Sequence, residues 1–249
     1  MNRILALLAT AAFAALPVQP LPAGLVMNFD DIQFWAGSGS NRTALVIDWN
    51  DGTSPESLAW GYRWSGAAPT VFEMLAGLAG AGSGIHLRID SATNLGPGIF
   101  GLGYQVGNTP FGVSGAVDAT GNATIPVFSG GISDTNTANN STQAPLSSTA
   151  AGPGQPGDHY KEGWFDNGFW ELLDGTTGFT LTGNWTPNFL GATAPAVDDG
   201  WFAFSITEPD YDSIVPDRPF AAVPEPSAAL LAGLGLLVTA ARRRPRSRA

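Results

Sequence analysis

Oxygen ligands of the kind that calcium prefers cluster in one short segment of the sequence. Asp48, Asn50 and Asp51 lie close together and are followed by Gly52. The spacing departs from the EF-hand pattern, because the glycine comes at the fifth place and no glutamate stands at the twelfth. An Asx-Gly pair is also a common turn sequence. The segment therefore predicts a turn, with a weak structural calcium site at Asp48, Asn50 and Asp51 as the alternative, and no other cofactor is expected.

Large aromatic rings are the second candidate for chemistry. In a strand, side-chain alternation places Trp60, Tyr62 and Trp64 on one face. Such a row is either the core face of a sheet or a platform on which a sugar ring or planar ligand stacks. Trp164 and Trp170 belong to a second aromatic cluster, directly after a polar stretch that favours a binding loop. These five residues are the candidate ligand-binding residues.

The patterns expected of catalytic sites are weak in this sequence. The chain has no cysteine, which excludes disulfides, thiolate metal sites and cysteine nucleophiles. Its two histidines are too few for a histidine-rich metal site. The run 96–101 matches a dinucleotide-binding motif by letter, but no helix is predicted after it. A carboxylate pair for glycoside hydrolysis has several candidate members: Glu56, Glu73, Glu162, Asp166 and Glu171. We therefore expect no enzymatic activity, and a secreted glycan hydrolase is the least favoured alternative.

The elements that must position these residues are mostly strands. The strongest, 43–49 and 57–64, are predicted to form a hairpin across 50–53. One helix is predicted at 70–79, where apolar residues recur at helical spacing. Further strands are predicted at 25–35, as one strand or as two with a break at 30–31, and at 84–90, 99–106, 123–128, 178–185 and 201–207. The pattern predicts a mainly β body, an antiparallel β-sandwich or jelly-roll-like fold with one short helix.

The predicted body is a single β-rich extracytoplasmic domain over residues 24–208. Within it, residues 129–157 contain no aromatic residue and almost no large aliphatic one, which predicts a mobile loop. Residues 209–223 are rich in proline and aspartate and are predicted to form an extended spacer that is open to a protease.

Charge is distributed unevenly along the chain. Six of the eleven basic residues lie in the terminal segments, which leaves five in the body against twenty acidic residues and a net charge near −15. A surface this acidic repels phosphates, so nucleic-acid binding is excluded.

The two ends of the chain have the composition of targeting segments. Arg3 precedes an apolar run at 4–16, which predicts a cleaved signal peptide at residues 1–23. At the other end, an uncharged apolar run predicts a transmembrane helix at 227–241. This helix is about 22 Å long against a hydrocarbon core of about 30 Å, so it suits temporary residence in a membrane. The arginines that follow are expected to stay cytoplasmic, which places the body outside.

The C-terminal segment resembles a known sorting signal. It combines the tripeptide Pro224-Glu225-Pro226, the apolar run and a basic tail, in which Arg242, Arg243 and Arg244 are the first arginines. In this order at residues 224–248, the three parts resemble the PEP-CTERM sorting signal of Gram-negative bacteria. The stretch 32–74 also resembles an ectodomain family of unknown function.

The PEP-CTERM resemblance implies a set of partners and a destination. The partners are an exosortase-type membrane peptidase and, transiently, the inner membrane. The destination is the cell surface or an extracellular matrix that contains exopolysaccharide. The resemblance implies no function for the body. We therefore expect an exported surface or matrix protein without catalytic activity, with a carbohydrate- or small-ligand-binding module as the alternative.

Overall fold

A computed structural model describes the chain over residues 24–91, 96–106, 128–134, 157–163, 168–175, 185–207 and 214–223, together with the backbone of 112–113 and 151–152. The predicted signal peptide, the transmembrane helix, the sorting tripeptide and most of the 129–157 loop lie outside the described residues. So do the strands predicted at 123–128 and 178–185, apart from one residue of each. In the described part of the chain, no helix has both the length and the apolar character that a membrane span needs.

The described residues form thirteen strands and one α-helix, with short 3-10 helices at Phe29–Asp31 and Gly191–Thr193. The helix, α1, is Val71–Gly80. The strands are β1 (Trp35–Gly37), β2 (Asn41–Asp48), β3 (Ser57–Trp64), β4 (Ile85–Asp90), β5 (Gly98–Tyr104), β6 (Gly112–Val113), β7 (Ile132–Asp134), β8 (Ala151–Gly152), β9 (His159–Glu162), β10 (Trp170–Gly175), β11 (Trp185–Pro187), β12 (Gly200–Ile206) and β13 (Phe220–Ala221). The prediction of a mainly β body with one short helix is confirmed.

The larger sheet is built around the predicted hairpin. Strands β2 and β3 pair antiparallel over their full lengths, from Asn41 opposite Trp64 to Asp48 opposite Ser57. The strand order is β1-β3-β2-β12-β10-β11, and β13 pairs with β3 at the end that β1 leaves open. This sheet therefore joins the two ends of the described chain to the hairpin.

The smaller sheet has the order β7-β4-β5-β9. Both sheets are mixed, because β1–β3, β12–β2, β13–β3 and β4–β7 are parallel pairs. The prediction of an antiparallel sandwich or jelly-roll-like body is therefore wrong for the direction of these four strand pairs. Alternation along one strand shows which side chains share a face, but it carries no information on the direction of the neighbouring strand.

Apolar side chains of the described residues form two clusters. The main core joins one face of the larger sheet to the smaller sheet and α1, and Trp49, Trp60 and Phe204 are among its fully buried members. The outer core lies on the opposite face of the larger sheet, where Trp201 and Ala203 are buried and Trp35 is half-buried. Gly61 has no Cβ that would clash with the Trp35 ring. The larger sheet is thus covered on both faces, which explains why β12 is buried along its whole length.

Helix α1 begins at a capping box. The Thr70 hydroxyl accepts a hydrogen bond from the Glu73 amide at 3.1 Å, and the Glu73 carboxylate accepts one from the Thr70 amide at 2.7 Å. These bonds satisfy backbone donors that the first turn leaves free. Val71, Met74, Leu75 and Leu78 are fully buried, as their helical spacing predicts.

The prediction of a strand at 25–35 is wrong over most of its length, although the alternative break at 30–31 does fall in a 3-10 helix. Asn28 caps a 3-10 helix at Phe29–Asp31, accepting from the Asp30 amide at 2.8 Å, while Asp31 accepts from the Asn28 amide at 3.0 Å. Short polar side chains that bond to the local backbone compete with strand pairing. The strand itself begins at Trp35.

Candidate functional site

The residues that immediately precede the sorting tripeptide are built into the fold, and we call residues 214–223 the C-terminal junction. Strand β13 pairs in parallel with β3, placing Phe220 opposite Leu58 and Ala221 opposite Ala59. Ala221 lies in the outer core and Ala222 in the main core, and both are buried. The prediction of an open spacer at 209–223 is therefore wrong for the junction.

Backbone hydrogen bonds hold the junction on both sides. The Ala222 amide donates to the carbonyl of Ala59 at 3.1 Å. The Ala221 amide donates to Gly24 at 2.9 Å, and the carbonyl of Pro219 accepts from Val26 at 2.9 Å. The C-terminal junction therefore lies between the first described residues of the chain and β3.

A buried carboxylate holds the upstream part of the junction. Asp48, at the end of β2, accepts hydrogen bonds from the Asp217 amide at 2.6 Å and from the Asn50 amide at 3.0 Å. Burial raises the pKa of Asp48 to about 6, and the charges of Asp217 and Glu56 act in the same direction. The two backbone donors act against this rise. Asp48 thus ties the junction to the hairpin at an electrostatic cost.

A tyrosine holds the last described residue of the junction. The Tyr104 hydroxyl donates to the carbonyl of Val223 at 3.2 Å. The Tyr104 ring is fixed against Trp60 and Trp49, with ring centroids 5.7 Å and 6.5 Å away. Val223 is the residue before Pro224, so this contact lies at the boundary between the fold and the sorting tripeptide.

The turn after β2 is fastened to the smaller sheet. Asp51 contacts His159 Nδ1 at 3.0 Å, and the His159 ring stacks on Trp49 with centroids 4.6 Å apart. Lys161 donates to the carbonyls of Trp49 and Asn50 at 3.2 Å and 3.1 Å. Burial tends to raise the pKa of Asp51, but the hydrogen bond with His159 and the bond from Thr53 outweigh it, so the pKa is lowered.

The three residues predicted as calcium ligands are all engaged in this turn. Asp48 accepts backbone bonds, Asp51 contacts His159, and the Asn50 carbonyl accepts from Lys161. Within the described ranges, no group of three or more acidic or histidine side chains is placed to hold a metal ion. The turn is confirmed, and calcium binding stays a prediction.

The structure places most of the candidate ligand-binding rings in the main core. Trp60 is fully buried and donates to the Ser83 carbonyl at 3.2 Å, while Trp64 and Trp170 are also buried. Tyr62 is partly buried and packs against the same core. The platform interpretation of these rings is therefore wrong for Trp60, Trp64 and Trp170. Trp164 lies outside the described residues.

Two of the carboxylates considered for hydrolysis have structural partners. Glu73 caps α1, as described above. Glu162 accepts two hydrogen bonds from Arg88 at 2.8 Å and 2.9 Å and one from the Tyr160 hydroxyl. Arg88, Tyr160 and Glu162 are all buried. Burial, and then the Glu162 carboxylate, raise the pKa of Tyr160 well above its ordinary value.

Sequence reasoning missed the residues that fasten the junction, chiefly Tyr104, Asp217 and Ala221. The available signal was the apolar run at 220–223, which interrupts the polar segment before the tripeptide. A two-residue strand of this kind is too short to be recognised by alternation.

Comparison with known protein families gives a match at the C-terminal end of the chain. The family model of the PEP-CTERM protein-sorting motif matches residues 222–244, which confirms the resemblance seen in the sequence. Neither a curated protein nor a solved structure matches the chain. The motif supports a secreted protein that is sorted by a C-terminal signal and processed by an exosortase-type membrane enzyme.

Proposed function

We propose, from the PEP-CTERM protein-sorting motif that the chain carries at residues 222–244, that this is a non-catalytic surface or extracellular-matrix protein. The signal peptide at 1–23 directs export, and the apolar segment 227–241 holds the precursor in the inner membrane. Cleavage near the tripeptide 224–226 by an exosortase then frees the acidic β-rich body. The body is delivered to the cell surface or to a matrix that contains exopolysaccharide.

The observation that carries this proposal is the sorting motif itself, joined directly to a folded body. The motif model begins at residue 222, and the described fold extends to Val223. The five arginines at 242–248 support the orientation, since basic residues that flank a membrane segment favour the cytoplasmic side. The net charge near −15 of the remaining chain suits a protein that stays soluble once released.

A carbohydrate- or ligand-binding role is the alternative to a purely structural one. Trp60, Trp64 and Trp170 are buried, so Trp164 and the partly buried Tyr62 are the rings to test for such a role. Binding predicts that exopolysaccharide quenches tryptophan fluorescence and that Trp164→Ala abolishes the quenching. If the quenching is absent, the structural role is favoured.

The sorting proposal is tested in a Gram-negative host with and without an exosortase. In the host with the enzyme, we expect a shortened protein outside the cell that lacks the arginine tail. Replacing Pro224, Glu225 and Pro226 together by alanine is expected to leave the full-length precursor in the membrane. The matched control is Pro209→Ala, a proline outside the tripeptide. An identical mass and location with and without the enzyme would contradict the proposal.

A further inference from the structure

We propose that the C-terminal junction acts as a clamp that must open before the exosortase can process the chain, an inference that rests on the proposed function. The clamp consists of residues 217–223 and the groups that bond to them. These are the Asp48 carboxylate, the Tyr104 hydroxyl, the carbonyls of Ala59 and Gly24, and the Val26 amide. While it is closed, the folded body holds the substrate strand that the peptidase needs.

No spare length of chain separates the fold from the tripeptide. Tyr104 bonds to the carbonyl of Val223, and Pro224 is the next residue. Even a fully extended chain advances only about 3.3–3.6 Å per residue. The tripeptide therefore starts within one residue of the body, and a peptidase at the membrane surface meets the folded domain beside its cleavage site.

The backbone immediately upstream of the tripeptide is already hydrogen-bonded within the body. An extended peptide commonly binds a partner through main-chain hydrogen bonds, as an added strand. The amides of Ala221 and Ala222 donate to Gly24 and Ala59, and the carbonyls of Pro219 and Val223 accept from Val26 and Tyr104. These groups are therefore occupied within the body and become available to a peptidase groove only when the clamp opens.

The clamp is small enough to open without unfolding the body. Strand β13 has two residues, and it pairs with β3 through alanine at one of its two positions. It pairs with β3 over two residues on one side and meets Leu25 in a single bridge on the other, whereas the central strand β2 is paired over six and eight residues along its two edges. Local opening draws on such short peripheral elements rather than on the core. The clamp therefore delays processing and does not forbid it.

A disulfide lock tests the clamp directly. Ala59 and Ala221 are paired in register and both side chains belong to the outer core, so their Cβ atoms lie on the same face of the sheet. A disulfide requires Cα atoms about 4.4–6.8 Å apart, and neighbouring strands lie about 4.7–4.9 Å apart, so the separation of these paired positions is within reach of the bond. The natural chain has no cysteine, so the double variant Ala59→Cys/Ala221→Cys contains one thiol pair alone.

The experiment follows conversion of the full-length precursor to the shortened form in membranes that contain the exosortase. We expect the oxidised double variant to be processed at least ten-fold more slowly than wild type, and reductant to restore the rate. Wild type and the two single-cysteine variants, treated with the same oxidant and reductant, control for effects on the enzyme. Equal rates for the oxidised and reduced double variant would overturn the clamp.

A second variant tests the same idea in the opposite direction. Tyr104→Phe keeps the ring but removes the hydrogen bond to Val223, which favours the open clamp by about five-fold. We expect processing to be faster by up to that factor. Tyr62→Phe is the control, because it removes a hydroxyl that lies beside α1 and not beside the clamp, and its processing rate should equal that of wild type. Unchanged processing of Tyr104→Phe, together with equal rates for the oxidised and reduced double variant, refutes the clamp but leaves the proposed function standing. If wild type itself is not processed when the enzyme is present, the proposed function fails.

Discussion

Removing the charge of Asp48 is expected to change how the stability of the body depends on pH. The folded state raises the pKa of this carboxyl from 3.8 to about 6, chiefly by burial, with further contributions from the charges of Asp217 and Glu56. The folded protein therefore binds a proton at Asp48 more tightly than the unfolded chain does. Its contribution to stability is fully present below pH 3.8 and is lost as the pH rises through about 6.

The size of the effect follows from the pKa difference. The full shift corresponds to about 3 kcal/mol between its acid and neutral limits. With the same two pKa values, lowering the pH from 7.5 to 5 raises the free energy of unfolding by about 1.4 kcal/mol. This window excludes most of the opposing contribution from Asp51, whose pKa is lowered in the fold and whose stabilisation is lost only at more acidic pH. The Asp48→Asn variant is expected to lose the gain.

The assay is urea unfolding of residues 24–223, followed by tryptophan fluorescence at pH 5 and pH 7.5. We expect the difference in unfolding free energy between the two pH values to shrink by about 1.4 kcal/mol in Asp48→Asn. Asp30→Asn removes one exposed carboxylate and is the matched control. The reasoning is refuted if Asp48→Asn and wild type show the same pH dependence, or if wild type loses stability on acidification while Asp48→Asn does not.

Two further predictions concern the buried ion pair and the turn after β2. Arg88→Met leaves the buried Glu162 carboxylate without its cation, so we expect a loss of about 3–5 kcal/mol in urea unfolding. Adding Glu162→Gln to this variant should recover part of the loss, and no recovery would argue against an uncompensated charge. A plain turn after β2 predicts no binding heat when calcium is titrated into residues 24–223, whereas the alternative, a calcium site at Asp48, Asn50 and Asp51, predicts weak heat that Asp51→Asn reduces. Absence of both heat and a melting shift would remove the calcium site.

The elements that the sequence predicted well are those with local signals. The hairpin of β2 and β3 follows from two runs rich in aliphatic and aromatic residues around an Asp-Gly turn, and its strand 57–64 has the predicted bounds. Helix α1 has both apolar periodicity and a capping box. Its observed start lies only one residue after the predicted start. Signals of this kind lie within a few residues of the structure that they specify.

The parallel pairing in the larger sheet depends on contacts that no local pattern records. Strand β12 pairs with β2 although Thr43 and Gly200 are separated by 157 positions, and the Thr43 hydroxyl donates to the Gly200 carbonyl at 2.8 Å. Strand β9 carries the polar sequence His159–Glu162 and was not predicted. Its side chains are buried by partners elsewhere, among them Arg88 for Glu162 and Trp49 for His159.

The candidate site shows the same limit. Alternation correctly grouped Trp60, Tyr62 and Trp64 on one face, because the period of a strand is fixed. Whether that face meets water or another sheet depends on where β4, β5 and α1 pack, and here they cover it. The C-terminal junction was interpreted as part of a spacer because residues 209–223 are rich in proline and aspartate, while four apolar residues at 220–223 hold it to the body.

The most direct measurement of the central claim is the intact mass of the protein recovered from outside the cell and from membranes. The account predicts an external protein that begins after the apolar run 4–16 and ends near residues 224–226, without the arginines at 242–248. It also predicts a membrane precursor that retains them. A full-length chain found soluble inside the cell, with both terminal segments intact, would contradict the account.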